Sequence, residues 1–333
     1  MRLRLATVAC LTRLLILLQL IVILGCSREA VLATAPAAGE LRLWQDAAIF
    51  GAVRSALAGA RSRIWVEMYE FDRPDLAADL ESARARGAEV RLIVDPSVSV
   101  SVRTARRLAG LGLAVRYYPL DDRRHQIDHV KLLLTETEAV AGGMNWGRHS
   151  ERNHDYALEI RPPPLLARLG AVFEQDWSLA GGVPAPLAAV FGEVAQTAPG
   201  DEIRRELETT LQSVRRLVAA EVFVLTDPDV IAGLAAAARR GAAVRVLLDA
   251  GQDVNRPAYS LLTVAGVAVR WYRAPPGAKL HAKAGLFDGR LVVGSANWSL
   301  SGLSVNHELD LVTTDPGVTA AFKARFDSDW DRS

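Results

Sequence analysis

Hydrophobic and polar positions follow two patterns that take turns along the chain. Short apolar runs at 63–71 (RIWVEMYEF) and 89–95 (EVRLIVD) predict buried β-strands, and the segment 73–88, with Ala and Leu on one stripe, predicts a helix. The same order returns between residues 221 and 249, as EVFVLTD, PDVIAGLAAAARRGA and AVRVLLD. Strands that alternate with helices are typical of α/β layers in which helices cover a central sheet. We therefore expect an α/β fold.

The chain repeats itself. Four positions recur at a constant offset of 152 residues: His129 with His281, Lys131 with Lys283, Gly142 with Gly294, and Asn145 with Asn297. The match extends beyond them, because RGAEVRLIVD ending at Asp95 matches RGAAVRVLLD ending at Asp249, and FEQDW ending at Trp177 matches FDSDW ending at Trp330. A repeat of this length predicts two homologous halves.

The repeat also gives the expected domain bounds. We expect a first half at 41–180, a linker at 181–205 and a second half at 206–333, since Gly, Pro and Ala concentrate between the repeats and mark a connection over the surface. With 333 residues, 50% hydrophobic and 23% charged, the chain can bury two sizeable cores. This composition differs from that of an intrinsically disordered chain.

The first 25 residues differ from the rest. Arg2, Arg4 and Arg13 precede LLILLQLIVILG, an uncharged run of twelve residues that is shorter than the roughly 20 needed to span a bilayer. This predicts a signal peptide at 1–25. The following ILGC resembles a bacterial lipoprotein cleavage box, which implies that Cys26 becomes a lipid-modified N-terminus on a tether at 26–40. A plain anchor or an uncleaved signal is the alternative.

The resemblance to a lipoprotein box implies an exported protein held at a membrane of the bacterial cell envelope. Cys10 is removed with the signal, so no internal disulfide is expected. Removal also changes the charge: the whole chain has 39 Lys and Arg against 38 Asp and Glu, and without the three N-terminal arginines the balance is 36 against 38. Proteins that hold long nucleic acids tend to be basic, which makes a nuclease less favoured without excluding it.

The stretch 281–299 (HAKAGLFDGRLVVGSANWS) carries the candidate chemistry. On a strand, His281 and Lys283 point to the same face because side chains alternate with a period of two. An imidazole beside a fixed cation suits attack on an anion such as a phosphate. For one copy alone, a solvent-exposed edge strand would explain these residues equally well, but the pair recurs as His129 and Lys131.

The motif H-x-K-x4-D followed by G-S-x-N, present twice, resembles the phospholipase D superfamily over essentially the whole segment 41–330. The resemblance implies two α/β/α sandwich halves related by a pseudo-twofold, with one active site at their interface. It implies phosphodiester cleavage through a phosphohistidine intermediate with no obligatory metal. His129 and His281 would be nucleophile and general acid/base, His129 being preferred as nucleophile. Four side chains would hold the phosphate oxygens: Lys131, Lys283, Asn145 and Asn297.

Elementary chemistry agrees with that assignment. Two lysines and two amides can neutralise the phosphate oxygens, and an imidazole with a pKa near 6.5 can attack when neutral or donate when protonated. A zinc site is the competing use of the histidines, but the sequence lacks clustered His/Cys ligand spacing. We expect neither a metal nor a cofactor.

Other polar residues follow each motif. Asp155 and Glu308 lie 26 and 27 residues after the motif histidines, where a carboxylate could accept the Nδ1 proton of a catalytic imidazole. Solvated strand-end carboxylates are the alternative. His154 and His307 would face the opposite side of the strand, in structural or rim roles, and His125 and His149 are expected in solvent. For Trp146 and Trp298 we favour core packing over substrate stacking.

The first half departs from the motif at two positions. Glu136 replaces the aspartate that is Asp288 in the second half, and Gly143 replaces Ser295. If this acid serves as a structural clasp, Glu136 can replace it; if the geometry is tight, the first half is weakened. Since both histidines and both lysines are present, we expect an active enzyme.

Three functions compete. The first is a phospholipase D-type enzyme on phospholipids, working by hydrolysis or phosphatidyl transfer; the second is an exported, metal-independent endonuclease; the third is a non-catalytic binding module, which the complete motifs disfavour. The expected partners are a phospholipid substrate and a membrane, with nucleic acid not favoured. We expect a monomer, and the sequence indicates no partner protein.

Overall fold

The computed structural model describes residues 40–187 and 192–333. The predicted signal peptide, Cys26 and nearly all of the tether lie outside the described residues. No helix within the described part of the chain is long and apolar enough to cross a membrane.

The first half forms a seven-stranded sheet in the order β1-β7-β6-β5-β2-β3-β4. Its strands are β1 (Leu41–Gln45), β2 (Arg63–Met68), β3 (Glu89–Val94), β4 (Ala114–Tyr117), β5 (Lys131–Thr135), β6 (Ala139–Gly142) and β7 (Tyr156–Ile160). Its helices are α1 (Ala48–Gly59), α2 (Pro74–Ala85), α3 (Ser99–Gly110) and α4 (Pro163–Ala180). Strands β2, β3 and β4 are parallel, whereas β5, β6, β7 and β1 pair antiparallel.

The second half repeats this sheet as β11-β10-β9-β12-β13-β14-β8, the equivalent order read from the opposite edge. Its strands are β8 (Val194–Thr197), β9 (Leu217–Val222), β10 (Ala243–Asp249), β11 (Ala268–Tyr272), β12 (Lys283–Phe287), β13 (Arg290–Gly294) and β14 (Glu308–Thr313). Its helices are α5 (Glu202–Ser213), α6 (Pro228–Arg239), α7 (Arg256–Val264), α8 (Leu300–Ser304) and α9 (Pro316–Arg332). The expected fold of two homologous α/β halves is confirmed.

Local sequence explains where these helices begin and end. The Asp227 carboxylate accepts hydrogen bonds from the first amides of α6, and Pro228 occupies its first turn, where no backbone donor is needed. Gly241 follows α6 with a φ of 93°, and Gly87 follows α2 with a φ of 98°. This left-handed conformation strains most other residues, so the RGA sequence ends both helices at equivalent places.

Two sequence expectations differ in detail. The predicted strand 221–227 begins earlier, at Leu217, and ends at Val222. In the interval 181–205, β8 is buried and pairs with β14, and α5 begins at Glu202. Part of the expected linker therefore belongs to the sheet of the second half. Val194 and Ala195 of β8 are buried among core residues.

Three hydrophobic clusters divide the core. One lies between the first sheet and helices α1 to α3, and a second lies between the second sheet and α5 to α7. The third contains residues of both halves, including Phe173 of α4 and Phe322 of α9. The last helix of each half thus packs between the two sheets, and this shared layer fixes the halves against each other.

Candidate active site

Both motifs lie at the start of equivalent strands. His129 and His281 precede β5 and β12, and Lys131 and Lys283 are the first residues of these strands. The four side chains are largely buried, with His281 at 9% exposure the most accessible. The Lys283 Nζ atom lies 3.1 Å from each ring nitrogen of His281. The expected placement of imidazole and ammonium on one side of the strand is present.

Each motif histidine is bonded to a carboxylate of the opposite half. The His129 Nδ1 atom lies 2.9 Å from Glu308 Oε2, and the His281 Nδ1 atom lies 2.7 Å from Asp155 Oδ2. A carboxylate at Nδ1 favours the tautomer that carries its proton there and leaves Nε2 free. The two predicted acids therefore reach the predicted histidines, in an arrangement that needs both halves.

The main chain also forms hydrogen bonds between the two halves at both motifs. The His129 amide donates to the carbonyl of His307, and the His281 amide donates to the carbonyl of His154, both at 2.8 Å. These bonds place each motif histidine directly against the segment that carries the other half's acid. The position of the imidazole relative to its carboxylate is consequently set by main-chain geometry.

Aromatic side chains border the two lysines. The Lys131 Nζ atom lies 5.1 Å from the ring centroid of Tyr69 and donates to the carbonyl of His129. The Lys283 Nζ atom lies 5.1 Å from the centroid of Phe223. Cation–π contacts of this kind hold a buried ammonium without neutralising its charge. Tyr69 and Phe223 were missed in the sequence because each looked like another apolar strand residue.

Burial and crowded cations set the protonation of the site. Burial, together with Lys131 and Lys283, holds the pKa of His129 well below its usual range and lowers the pKa of His281 to about 3. Burial lowers the pKa of Lys131 to about 7 and that of Lys283 to about 8. Burial also raises the pKa of Glu308 to about 7, although Lys131 opposes this shift. Both imidazoles of the free site are therefore neutral.

The asparagines keep unsatisfied polar atoms. The carboxamide oxygens of Asn145 and Asn297 are buried and have no hydrogen-bond partner, while the amide nitrogen of Asn145 lies 3.4 Å from Glu70. Burying a polar atom without a hydrogen-bond partner is unfavourable, and in most proteins a protein group or an ordered water bonds to such an atom. Their role in holding a phosphate remains a prediction.

The departure at Gly143 has a structural explanation. In the second half the Ser295 hydroxyl donates to Glu308 Oε2 at 2.5 Å. In the first half a Cβ atom on Gly143 would lie 2.2 Å from Asp155 Oδ1, so no side chain fits there. The shorter acid lies against a bare glycine, and the longer acid is held by a hydroxyl. Ser295 thus supports the carboxylate.

Glu136 and Asp288 do not contribute to the site. The carboxylate of Glu136 accepts hydrogen bonds from the amides of residues 61–63, and that of Asp288 from residues 215–217. Both carboxylates thus tie a turn to the beginning of the neighbouring strand, β2 or β9. The clasp interpretation agrees with these bonds, although the tie reaches the adjacent strand.

The remaining expectations are largely met. Trp146 and Trp298 are buried at 2% and 0% exposure and pack against Phe71 and Phe287. His125 and His149 are exposed. The histidines beside the site acids are buried and structural.

Two buried charge clusters lie behind the site and were not anticipated. In the first, His307 meets Glu67 and Asp176; in the second, His154 meets Glu221 and Asp329. The sequence contained an indication that was not used: these acids occupy matching positions of the repeat, inside otherwise apolar strands or in FEQDW and FDSDW. Within the described residues, these two clusters have the side-chain chemistry of metal ligands.

Comparison with known proteins identifies the family. Residues 53–177 and 207–330 both match the family model described as "Cardiolipin synthase, PLD-like domain". The chain belongs to this family. It is 26% identical over 287 residues to cardiolipin synthase A of Cronobacter sakazakii, which covers 74% of this chain and 58% of that protein. The chain thus spans less than two-thirds of the length of this relative.

Two further proteins are similar to the chain in sequence or in fold. A mitochondrial cardiolipin hydrolase of Chlamydomonas reinhardtii is 31% identical over 128 residues, 36% of this chain and 54% of that protein. Among solved structures, phosphatidylserine synthase of Haemophilus influenzae aligns with a TM-score of 0.69 over 89% of this chain and 87% of that chain, at 11% identity. At this identity the likeness shows the fold alone.

Because Glu136 and Asp288 accept hydrogen bonds from backbone amides, we expect their substitution to lower stability and to leave turnover unchanged. Replacing Asp288 with Ala removes the acceptor for three backbone amides at the rim of the sheet, and we expect a loss of about 1–2 kcal/mol in the free energy of unfolding. Urea titration measures this loss, and Asp288→Asn, which keeps one acceptor, should lose less. Turnover should be unchanged in the folded variant. A fall in kcat without a change in stability would show that the residue acts in the site after all.

Proposed function

We propose that the protein cleaves phospholipid phosphodiester bonds by a phospholipase D-type reaction, passing the phosphatidyl group to water or to an alcohol. The observation that carries this proposal is the pair of buried histidines, each beside a lysine and each bonded through Nδ1 to a carboxylate of the other half. One such imidazole can attack phosphorus while the other protonates the leaving oxygen.

The proposed reaction has two displacements. The Nε2 lone pair of His129 attacks phosphorus, a P–N bond forms, the P–O bond to the headgroup breaks, and His281 gives its proton to the departing oxygen. Water or an alcohol then gives a proton to His281 and attacks the phosphohistidine, which breaks the P–N bond. Lys131 and Lys283 neutralise charge on the phosphate oxygens.

Substrate binding supplies the protonation state that this scheme needs. In the free site both rings are neutral because burial and the two ammonium groups oppose a further positive charge. An anionic phosphodiester between the rings offsets those charges and raises the histidine pKa values. His281 can then take up the proton that it later donates.

Two observations support a phospholipid as substrate. The family description concerns cardiolipin synthases, and the chain beyond the predicted signal peptide has slightly more acidic than basic residues. The excess of basic residues expected of a protein that holds long nucleic acids is lacking. Hydrolysis and transfer share the same covalent intermediate, so the acceptor alcohol decides between them.

A substrate comparison tests this proposal. The protein from residue 27 onward is incubated with mixed micelles of phosphatidylglycerol, phosphatidylethanolamine or cardiolipin, and separately with DNA, in the presence of EDTA and ethanol. We expect release of a headgroup with phosphatidic acid or phosphatidylethanol as product, and a loss of at least about 10³-fold in His129→Ala. Cleavage of DNA without turnover of any phospholipid would overturn the assignment.

The roles of the two histidines can be separated by trapping. With a para-nitrophenyl phosphodiester, whose leaving group departs without protonation, His281→Ala should still form a covalent adduct on His129. His129→Ala should form none. Mass spectrometry of acid-free digests locates the adduct. A modified His281 peptide would reverse the roles, and the lack of any adduct in both variants and wild type would contradict a phosphohistidine.

The pH profile tests the support given by Ser295. Glu308 has to be ionised to hold the His129 proton, so kcat/KM should rise as pH increases through about 7, and it should fall again as Lys131 loses its proton, also at about 7. Because the Ser295 hydroxyl lowers the pKa of Glu308, Ser295→Ala should move the acidic limb to higher pH. An equal loss at all pH values would contradict this role.

A further inference from the structure

The His307 cluster consists of Glu67 on β2, Asp176 on α4 and His307 immediately before β14. All three side chains have 0% exposure. The His307 Nε2 atom lies 3.2 Å from Asp176 Oδ2 and 3.4 Å from Glu67 Oε1. One imidazole of the second half thus faces two carboxylates of the first half in a dry interior.

The polar atoms of this cluster lack hydrogen-bond partners. Both carboxylate oxygens of Glu67, Asp176 Oδ2 and His307 Nε2 are all buried and unsatisfied. Asp128 adjoins Glu67, and its Oδ2 atom is unsatisfied as well. Burying carboxylates without partners is unfavourable, so their negative charge has to be relieved by a cation or by protons.

The orientation of the imidazole directs one nitrogen at the carboxylates. The His307 Nδ1 atom lies 3.1 Å from the Ala198 carbonyl, to which its N–H donates, and the ring stacks on Tyr118 with centroids 4.5 Å apart. Nε2 of the neutral ring therefore presents a lone pair to the two acids. Metal-bound histidines usually donate their second N–H to a carbonyl or carboxylate in this way.

The equivalent His154 cluster provides a comparison inside the same molecule. His154 is bonded to Asp46 at 2.6 Å and to Glu221 at 2.9 Å, and Arg325 lies 2.5 Å from Asp329. These contacts are direct ion pairs or hydrogen bonds of ordinary length. The three carboxylates of this cluster are balanced by the guanidinium groups of Arg325 and Arg332, both paired with Asp329, and by the imidazolium of His154.

The first half has replaced the balancing groups. Counting five residues back from the repeated Trp177 and Trp330 places Val172 where the second half has Arg325. Asp128 precedes its motif histidine where the second half has Leu280. The His307 cluster therefore lacks the cation of Arg325. It gains Asp128 but has no acid equivalent to Asp46, because Thr197 occupies that position, so the two clusters hold the same number of carboxylates.

We propose that Glu67, Asp176 and His307 bind a divalent transition-metal ion, best matched by Zn²⁺, as a structural tie between the two halves. Donor atoms bonded tetrahedrally to zinc at about 2.0–2.1 Å lie roughly 3.3 Å apart. The two separations from His307 Nε2 agree with this value, and all three donor atoms lie within 4.8 Å of one another. An imidazole together with carboxylates favours Zn²⁺ over Mg²⁺ or Ca²⁺, which prefer oxygen ligands alone. The proposal is independent of the proposed function.

A proton on His307 is the competing source of positive charge. Although burial opposes it, Asp176 and Glu67 raise the pKa of His307, and burial with Asp176 raises the pKa of Glu67 to about 7. Both shifts express the excess of negative charge that a metal ion would also relieve. An imidazolium has one N–H at Nε2 and cannot bond fully to two acids, whereas a metal ion can.

The ion would lie directly behind the catalytic residues. The carbonyl of His307 accepts the His129 amide, and the next residue is Glu308. Fixing His307 to β2 and α4 fixes the main chain that orients the His129 imidazole. The ion would have no contact with substrate, in agreement with a reaction that needs no catalytic metal.

Elemental analysis of the untagged protein tests the proposal. Protein from residue 27 onward, produced in zinc-supplemented medium and dialysed, should contain about one equivalent of zinc per chain. Asp176→Asn should reduce the content at least about 10-fold, because one of three ligands is weakened. The matched variant Asp329→Asn in the His154 cluster should keep it. Equal content in Asp176→Asn and wild type would overturn the site.

X-ray absorption on the wild-type protein covers the case in which Asp176→Asn does not fold. We expect a zinc spectrum with one imidazole nitrogen and oxygen ligands. Less than about 0.1 equivalent of metal in wild type, with no thermal stabilisation on adding Zn²⁺, would show that a proton holds the cluster together. Either that result or a zinc spectrum without an imidazole ligand overturns the proposal.

Discussion

The hydrogen bond from a motif histidine to a carboxylate of the opposite half is the interaction on which the arrangement of the molecule depends. A bond at Nδ1 directs Nε2, and a displacement of a few tenths of an ångström would misalign it. His129 with Glu308 and His281 with Asp155 both cross between the halves. The shared hydrophobic layer and the main-chain bonds at the two motifs keep these partners in register.

Alternation along two short segments links the site to the interior. In residues 154–155 and 307–308, an acid turned toward a motif histidine follows a histidine turned toward a buried charge cluster. Neighbouring side chains point to opposite faces in extended backbone. Each of these two segments therefore holds both an acid of the candidate active site and a histidine of a buried cluster. A displacement of its main chain would move both side chains.

Much of this organisation could be predicted because the chain contains its own comparison. The constant offset indicated two halves, the period of two placed imidazole and ammonium together, and the distance from each motif identified Asp155 and Glu308. The sequence could not show that Asp155 and Glu308 each contact the histidine of the opposite half. Spacing along the chain does not reveal which of two equivalent histidines a side chain reaches. For Glu136 and Asp288 the sequence raised a structural clasp as one option without deciding it, because a motif position does not reveal which backbone amides a carboxylate will meet.

The buried clusters escaped prediction for a related reason. Glu67 precedes Asp176 by 109 residues, and Asp176 precedes His307 by 131 residues, so only the packed sheets bring the three together. In the interval 181–205, a composition typical of a surface connection concealed β8, because a four-residue edge strand has too few positions to show a period. Long-range pairing and short edge strands are where local patterns carry least information.

Covalent linkage of the halves has a consequence for how this molecule can vary. In a symmetric dimer of identical chains, every substitution would occur twice, once on each side of the axis. Here Val172 and Arg325, Asp128 and Leu280, or Gly143 and Ser295 differ across equivalent positions. Each environment can be changed while its counterpart is preserved, so a single chain can hold two histidines of the same motif in surroundings that are no longer interchangeable.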